Sequence, residues 1–270
     1  MLTQEQISEF RARGFLNYGP VLSPEEVNEL RAALDHTLQG DGEIKPESLR
    51  NMAGGNDVVT QVVNIWEAEP AFYRHLFHPK IVSLAAQIMG TDTVRVWHDQ
   101  VQIKPPRIGG PTIWHQDHPY WPVIQPADLV SAWVALEDAT PENGCMSMVS
   151  RSHLWGVHRG GTVGSRKDDW GPDYDPSLVP DGETVEVVPC PVKAGSVVFH
   201  HCRTWHGAPP NRSDTNRPAI AVHYMPGWTR YAPEPGKTHL IEHHIHVAPD
   251  EPLTGEHFPT VMENGELLTP

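Results

Sequence analysis

Trp114-His115-Gln116-Asp117 is the segment of this 270-residue chain with the clearest capacity for chemistry. In extended backbone, residues i and i+2 point to the same side. His115 and Asp117 can therefore present an imidazole and a carboxylate to a common point. His206, in Trp205-His206-Gly207-Ala208, can bring a second imidazole from a distant strand. Two histidines and one carboxylate on one face of a metal leave the opposite face open, which suits Fe(II) oxygen chemistry. An isolated H-x-D is weak evidence, and a surface turn in which Asp117 accepts backbone hydrogen bonds also accounts for it. The setting favours the metal: the tripeptide follows a Gly109-Gly110-Pro111 loop and is bounded by His118-Pro119-Tyr120-Trp121-Pro122.

Arg217 is the second chemical signal. It opens the run Ala219-Ile220-Ala221-Val222-His223-Tyr224, and an arginine entering an apolar strand is costly unless a carboxylate meets it. Its planar fork suits bidentate carboxylate binding, which lysine cannot reproduce. That carboxylate could belong to a bound acid or to an Asp or Glu of the chain itself.

The elements that must position these residues divide into a helical start and a β-rich remainder. Thr3 and Gln6 form a capping box that opens one helix. Ser23-Pro24-Glu25-Glu26 opens a second, with Val27, Leu30, Leu34 and Leu38 at helical spacing along one face. A third helical stretch is predicted from Ala71 to Met89, carrying Phe72, Leu76, Ile81, Leu84, Ala85 and Ile88 and stopped by Gly90. Thr93–Lys104 reads as a strand with Val94, Val96, His98, Gln100, Gln102 and Lys104 on one face. Shorter β-like runs follow at Leu129–Leu136, Cys145–Val149, Thr184–Val188, Ser196–His200 and Ala219–Tyr224. Their spacing, broken by Pro, Gly, Asn and Asp, predicts a sandwich or barrel rather than βαβ units. The expected organisation is one domain: a helical flank over 1–90, a β core over 91–226 and a C-terminal tail over 227–270. The polar loop Gly160–Gly182 is long enough to be a lid, with Arg166, Lys167 and Trp170 as candidate contacts, or simply a solvated loop.

Bulk composition excludes some partners. A net charge of −14 disfavours nucleic acid and anionic membrane surfaces and leaves a small molecule as the expected substrate class. No apolar stretch approaches the ~18 residues of a membrane span. The start, MLTQEQISEF, lacks the pattern of a secretory signal, and three scattered cysteines suit a reducing compartment. A cytoplasmic location is expected. The oligomeric state has no readable signature.

At this point the sequence resembles the phytanoyl-CoA dioxygenase family of Fe(II)/2-oxoglutarate oxygenases. The likeness runs from about Val94 to Tyr224 and rests on His115-Gln116-Asp117, His206 and, eleven residues later, Arg217. Ser131-Ala132-Trp133, Asn143-Gly144-Cys145 and Ser150-Arg151-Ser152-His153 also look like family landmarks. The resemblance implies a double-stranded β-helix, a jelly-roll barrel of the cupin-like kind whose mouth holds the iron. It implies His115, Asp117 and His206 as iron ligands and Arg217 as the anchor of 2-oxoglutarate, with Trp133 and Gln100 nearby. Fe(II), 2-oxoglutarate and O2 would then be consumed or held in oxidising an unactivated C–H, with release of succinate and CO2. Related halogenases replace the carboxylate ligand with a small residue, so Asp117 makes hydroxylation the default; desaturation, epoxidation or ring closure are other outcomes.

One position departs from the family. Some members carry a hydroxyl residue two places after the distal histidine, where this chain has Ala208, so another donor or a water must serve. Two rival readings remain: a jelly-roll metal-binding protein without oxygenase activity, and a non-redox cupin metalloenzyme using Zn or Mn. Dependence on 2-oxoglutarate separates them from the oxygenase. Other residues carry two readings each. His201 is either a support of the metal ligands or structural. Trp114, Tyr120 and Trp121 line a substrate pocket or pack the core. His243, His244 and His246 form an exposed tail or a second metal site, the tail being favoured because adjacent strand positions point apart.

Overall fold

The computed structural model describes residues 1–40, 42–53, 56–158, 163–165, 172–174 and 176–270. Arg166, Lys167 and Trp170 of the expected lid lie outside them.

The chain opens with α1 (Gln4–Arg13), β1 (Phe15–Pro20) and α2 (Pro24–Gln39). Both helices start with the predicted capping boxes, Thr3 with Gln6 and Ser23 with Glu26, and both end at a left-handed glycine. A hairpin, β2 (Ser48–Asn51) and β3 (Thr60–Val63), precedes α3 (Ile65–Ala68), α4 (Pro70–Leu76) and α5 (Pro79–Met89). The helix expected over 71–89 is thus two. Pro79 disfavours helical backbone at His78, which instead caps α5. The six apolar residues named for that stretch are all buried.

The β region contains β4 (Val94–Lys104), β5 (Thr112–His115), β6 (Ile124–Gln125), β7 (Val130–Ala135) and β8 (Ser147–Val149). Then come β9 (Val163–Ser165), β10 (Pro172–Tyr174), β11 (Val187–Pro189), β12 (Ser196–His201), β13 (His206–Ala208) and β14 (Arg217–Pro226). The end supplies β15 (Arg230–Tyr231), β16 (Thr260–Glu263) and β17 (Glu266–Leu267). The larger antiparallel sheet runs β1-β12-β7-β14-β4-β16-β17, with β3 also on β4 and β2 on β3; the smaller runs β11-β8-β13-β5. This is the mainly β, jelly-roll arrangement expected, as two main hydrogen-bonded sheets, with the small pairs β9–β10 and β6–β15 beside them, rather than one closed barrel. The first ninety residues are not purely helical, because β1, β2 and β3 extend the larger sheet. The tail likewise returns to it through β16 and β17.

Alternation along the strands creates two cores. Val134, Val197, Phe199, Ile220 and Val222 point outward and pack with Phe10, Leu30, Phe72, Ile81 and Leu84 of the helices. Trp133, Val198, Ala219 and Ala221 point inward and meet Met148 of β8 and Met146 just before it. The same period puts Arg217 and His223 inside with Ala219 and Ala221, along one wall of the space between the sheets.

One strand departs from simple alternation. On β4, His98 pairs with His223 but Val96 pairs with Tyr224, so Trp97 is the extra residue of a bulge. A bulge shifts the pleat by one residue and exchanges faces. Val94 and Val96 therefore join the outer core, whereas His98, Gln100 and Gln102 line the inner cavity. The single face expected for Val94 through Lys104 is corrected accordingly.

The outer core should dominate stability. Ile220→Ala is expected to cost about 2–5 kcal/mol. Leu38→Ala, on the α2 face but 42% exposed, should stay within about 0.5 kcal/mol. Urea unfolding checks both, and equal losses would contradict this assignment of the core.

Candidate metal and cosubstrate site

β5 and β13 pair in the smaller sheet with His115 opposite His206, which brings residues 91 positions apart in sequence side by side. Their rings lie 4.2 Å apart. Asp117 follows β5, with its backbone N–H donating to the carbonyl of Cys202. Asp117 Oδ1 is 3.5 Å from His115 Nε2 and 3.4 Å from His206 Nε2. The three side chains thus offer donor atoms to one point, as the H-x-D spacing suggested.

Hydrogen bonding sets what those atoms are. His115 Nδ1 lies 2.8 Å from the carbonyl of Ile113, and His206 Nδ1 lies 2.9 Å from that of Thr204. A carbonyl only accepts, so each Nδ1 carries the proton and each Nε2 presents a lone pair. Burial holds His206 well below its ordinary range, hence neutral. Burial alone would raise the Asp117 pKa, but His206, His115 and His200 outweigh it and hold the carboxyl well below its usual value. Two imidazole lone pairs and a carboxylate oxygen converging in a buried space are unfavourable without a cation. Their separations leave room for one ion about 2.1 Å from each donor. The residues fit a two-histidine, one-carboxylate metal centre with an open face.

The other carboxylate oxygen is held from the larger sheet. Ser131 Oγ donates to Asp117 Oδ2 at 2.9 Å, and His200 Nε2 lies 3.0 Å from the same atom. His223 Nδ1 is 2.7 Å from Ser131 Oγ, so a relay runs from His223 through Ser131 to Asp117. Sequence reasoning missed His200 and His223 as supports and weighed His201 instead. Adjacent strand residues face opposite ways, so only one could reach the carboxylate. His201 accepts the backbone N–H of Arg203 and is structural. The inward series Val198, His200 was readable from the period of β12.

Arg217 is 1% exposed. Its guanidinium lies 5.5 Å from the Trp133 ring centre, and its Nε and Nη1 have no hydrogen-bond partner among the described residues. Burial pushes its pKa down to about 10. Among the described residues no carboxylate meets it, which disfavours the intramolecular-pair alternative. Trp133, Gln100 and Arg217 line the same inner space as His115, Asp117 and His206. Opposite Arg217 on β4, the fully buried Lys104 donates through Nζ to the carbonyls of Ala208 and Pro209, at 2.9 and 2.7 Å. It ties the segment after His206 to the larger sheet.

Ala208 pairs with Thr112 across the strands. The Thr112 hydroxyl is buried, unpartnered among the described residues, and lines the space shared with Arg217. A hydroxyl missing on β13 is therefore present on β5. Its signal, a threonine three residues before His115, is visible only once the two strands are paired.

A wider cavity of about 270 Å³ begins at His115 and Asp117. Its walls include Met52, Val59, Val63, Trp121 and Leu240, with His98, His223 and His239 as polar groups. Burial lowers His98 to about 3 and His239 to about 4, so both are neutral near pH 7. Of the three aromatics weighed earlier, Tyr120 and Trp121 line this cavity. Trp114 packs instead with Val149 and Trp205.

A jelly-roll that gathers two imidazoles, a carboxylate and a buried arginine with no carboxylate partner among the described residues defines a non-haem metal oxygenase class. The phytanoyl-CoA dioxygenase (PhyH) sequence pattern matches residues 10–219, and the chain belongs to that family. Phytanoyl-CoA dioxygenase domain-containing protein 1 of Danio rerio is 26% identical over 277 aligned residues, covering 83% of this chain and 90% of that protein. The crystal structure of SnoK, a non-heme alpha ketoglutarate dependent carbocyclase from nogalamycin biosynthesis, superposes with a TM-score of 0.76. It is 33% identical, with 97% of both chains covered. The epimerase SnoN, solved with Fe3+, alpha ketoglutarate and nogalamycin RO, gives a TM-score of 0.76 at 25% identity, covering 95% of this chain and 97% of its own. The cofactors of this enzyme class are Fe(II), 2-oxoglutarate and O2.

Supporting partners of a ligand commonly change metal affinity 10–100-fold when removed. Ser131→Ala should weaken Fe(II) or Co(II) binding within that range, measured by anaerobic titration. An unchanged affinity would show that the relay to Asp117 has no influence on the metal.

Proposed function

We propose that His115, Asp117 and His206 bind a single Fe(II), and that Arg217 binds the distal carboxylate of 2-oxoglutarate with Trp133, Gln100 and Thr112 beside it. The protein is then a 2-oxoglutarate-dependent dioxygenase acting on a C–H bond of a small molecule. The observation that carries this reading is the buried Arg217, whose Nε and Nη1 have no hydrogen-bond partner among the described residues, in the same inner space as the three metal donors. A buried guanidinium without a partner is strongly destabilising; a dicarboxylate cosubstrate is the partner that resolves it. A non-redox cupin enzyme or a simple metal-binding module has no use for it.

When bound, the iron and 2-oxoglutarate supply the oxidising power, with O2 reduced and the cosubstrate split into succinate and CO2. The chain's own contribution is placement. His200 and the Ser131–His223 relay fix one oxygen of Asp117, leaving the other for the ion. Nδ1 bonds to backbone carbonyls fix the rings of His115 and His206. Arg217 and Thr112 fix the far end of the cosubstrate by charge and hydrogen bonding, and the cavity next to His115 positions the reacting carbon.

Hydroxylation is the default outcome, since a carboxylate ligand is present at 117. The likeness to SnoK over 97% of both chains supports a second outcome, ring closure after removal of the same hydrogen. The cavity favours an organic substrate of modest size. We place the protein in the cytoplasm, which suits three buried, unpaired cysteines. Among the described residues, no helix is long and apolar enough to cross a membrane.

Succinate release from 2-oxoglutarate, measured with Fe(II) and ascorbate, tests the reading. Wild type should turn over slowly even without its substrate. Arg217→Ala should raise the KM for 2-oxoglutarate by about 100-fold and Thr112→Val by about tenfold, corresponding to ~2.7 and ~1.4 kcal/mol. No succinate release from 2-oxoglutarate, or a KM unmoved by Arg217→Ala, would overturn it.

A further inference from the structure

Away from the inner space, a second group of metal-donor side chains gathers where the ends of the chain meet. His243 and His244 lie in a short 3₁₀ turn, Glu242–His244. In such a turn adjacent side chains diverge less than in a strand, and both rings here reach one carboxylate. His244 Nε2 is 3.1 Å and His243 Nε2 is 3.8 Å from Glu47 Oε2, and the two rings are 3.9 Å apart. His257 stacks on the other side of His244 at 3.5 Å and is held at 3.2 Å by Glu67. Glu47 and His244 are largely shielded, their side chains 14% and 16% exposed. The expected exposed tail is corrected for His244, and His246 takes no part.

We infer that Glu47, His243 and His244 form a second metal site, for a divalent transition ion of the Zn2+ class. Three donor atoms, all within 4.8 Å of one another, can close around one tetrahedral ion, with a position left for water. Imidazole and carboxylate donors suit Zn2+ rather than Mg2+ or Ca2+. A plain His–Glu ion pair does not need a second imidazole on the same carboxylate oxygen. The His257–Glu67 pair buttresses the ring of His244 and fixes its orientation.

The location gives the ion a structural consequence. Glu47 stands three residues before Arg50, and His243 follows His239 and Leu240 by four and three residues. Arg50, His239 and Leu240 all line the 270 Å³ cavity. An ion shared by Glu47 and the two histidines ties together two walls of that cavity contributed by opposite ends of the chain. This inference stands apart from the assignment of the iron site.

The test is Zn2+ binding to the full chain, with stoichiometry by equilibrium dialysis and elemental analysis. A His115→Ala/Asp117→Ala double variant removes the inner site and should still retain one Zn2+ per chain. On that background, His244→Ala should abolish binding, and Glu47→Gln, a near-isosteric change on a partly exposed side chain, should weaken it at least tenfold. His246→Ala should leave it unchanged. Co2+ in place of Zn2+ should give a visible d–d band from the double variant that Glu47→Gln diminishes. A double variant that holds no stoichiometric Zn2+, or one whose Zn2+ survives both His244→Ala and Glu47→Gln, would overturn the proposal.

Discussion

The site depends on a single buried carboxylate. Asp117 is 5% exposed, and an ionised group so placed must be compensated on every side. Hydrogen-bond compensation comes from β7 through Ser131 and β12 through His200, while β5 through His115 and β13 through His206 bring lone pairs to its other oxygen. Those strands belong to both sheets. The electrostatic demand of one side chain thus fixes how the two sheets stand against each other at the mouth of the fold. Because one oxygen takes the hydrogen bonds, the other is left to the two imidazole lone pairs, and the pocket is shaped for a cation before any arrives.

A second electrostatic problem lies deeper. Arg217 and Lys104 face each other across β14 and β4 in a chain of net charge −14. Lys104 is answered by two backbone carbonyls; Arg217 is answered by no group among the described residues at Nε and Nη1. The asymmetry separates structure from function. The lysine holds the strand that follows His206, and the arginine is the group for which we propose an anionic partner. The family's hydroxyl position shows the same economy of placement, since Thr112 on β5 stands across from Ala208 and reaches the space that Ala208 leaves empty of donors.

Much of this was legible in the sequence where signals were local and periodic. The capping boxes, the alternation of β14 and the H-x-D spacing each follow from short-range geometry. What failed to show was long-range or depended on a one-residue shift. The bulge at Trp97 reverses the faces of β4, and no pattern in the sequence marks it. Pro79 was visible, yet the apolar spacing on either side ran through it and suggested one helix. Strands β1 to β3 were hidden by the stronger helical signals around them, and they form because the edge of the larger sheet offers hydrogen bonds. His200 could have been chosen over His201 by counting along β12. Thr112 and the Glu47–His244 contact required knowing which distant segments meet.

The central claim is that the inner site takes Fe(II) and 2-oxoglutarate together on one face of the His115–Asp117–His206 set. Anaerobic addition of both to the metal-free protein, followed in the visible spectrum, tests it most directly. The account predicts a weak metal-to-ligand charge-transfer band that needs both additions and disappears in His206→Ala. A spectrum that 2-oxoglutarate leaves unchanged, with the ion bound equally well in His206→Ala, would contradict it.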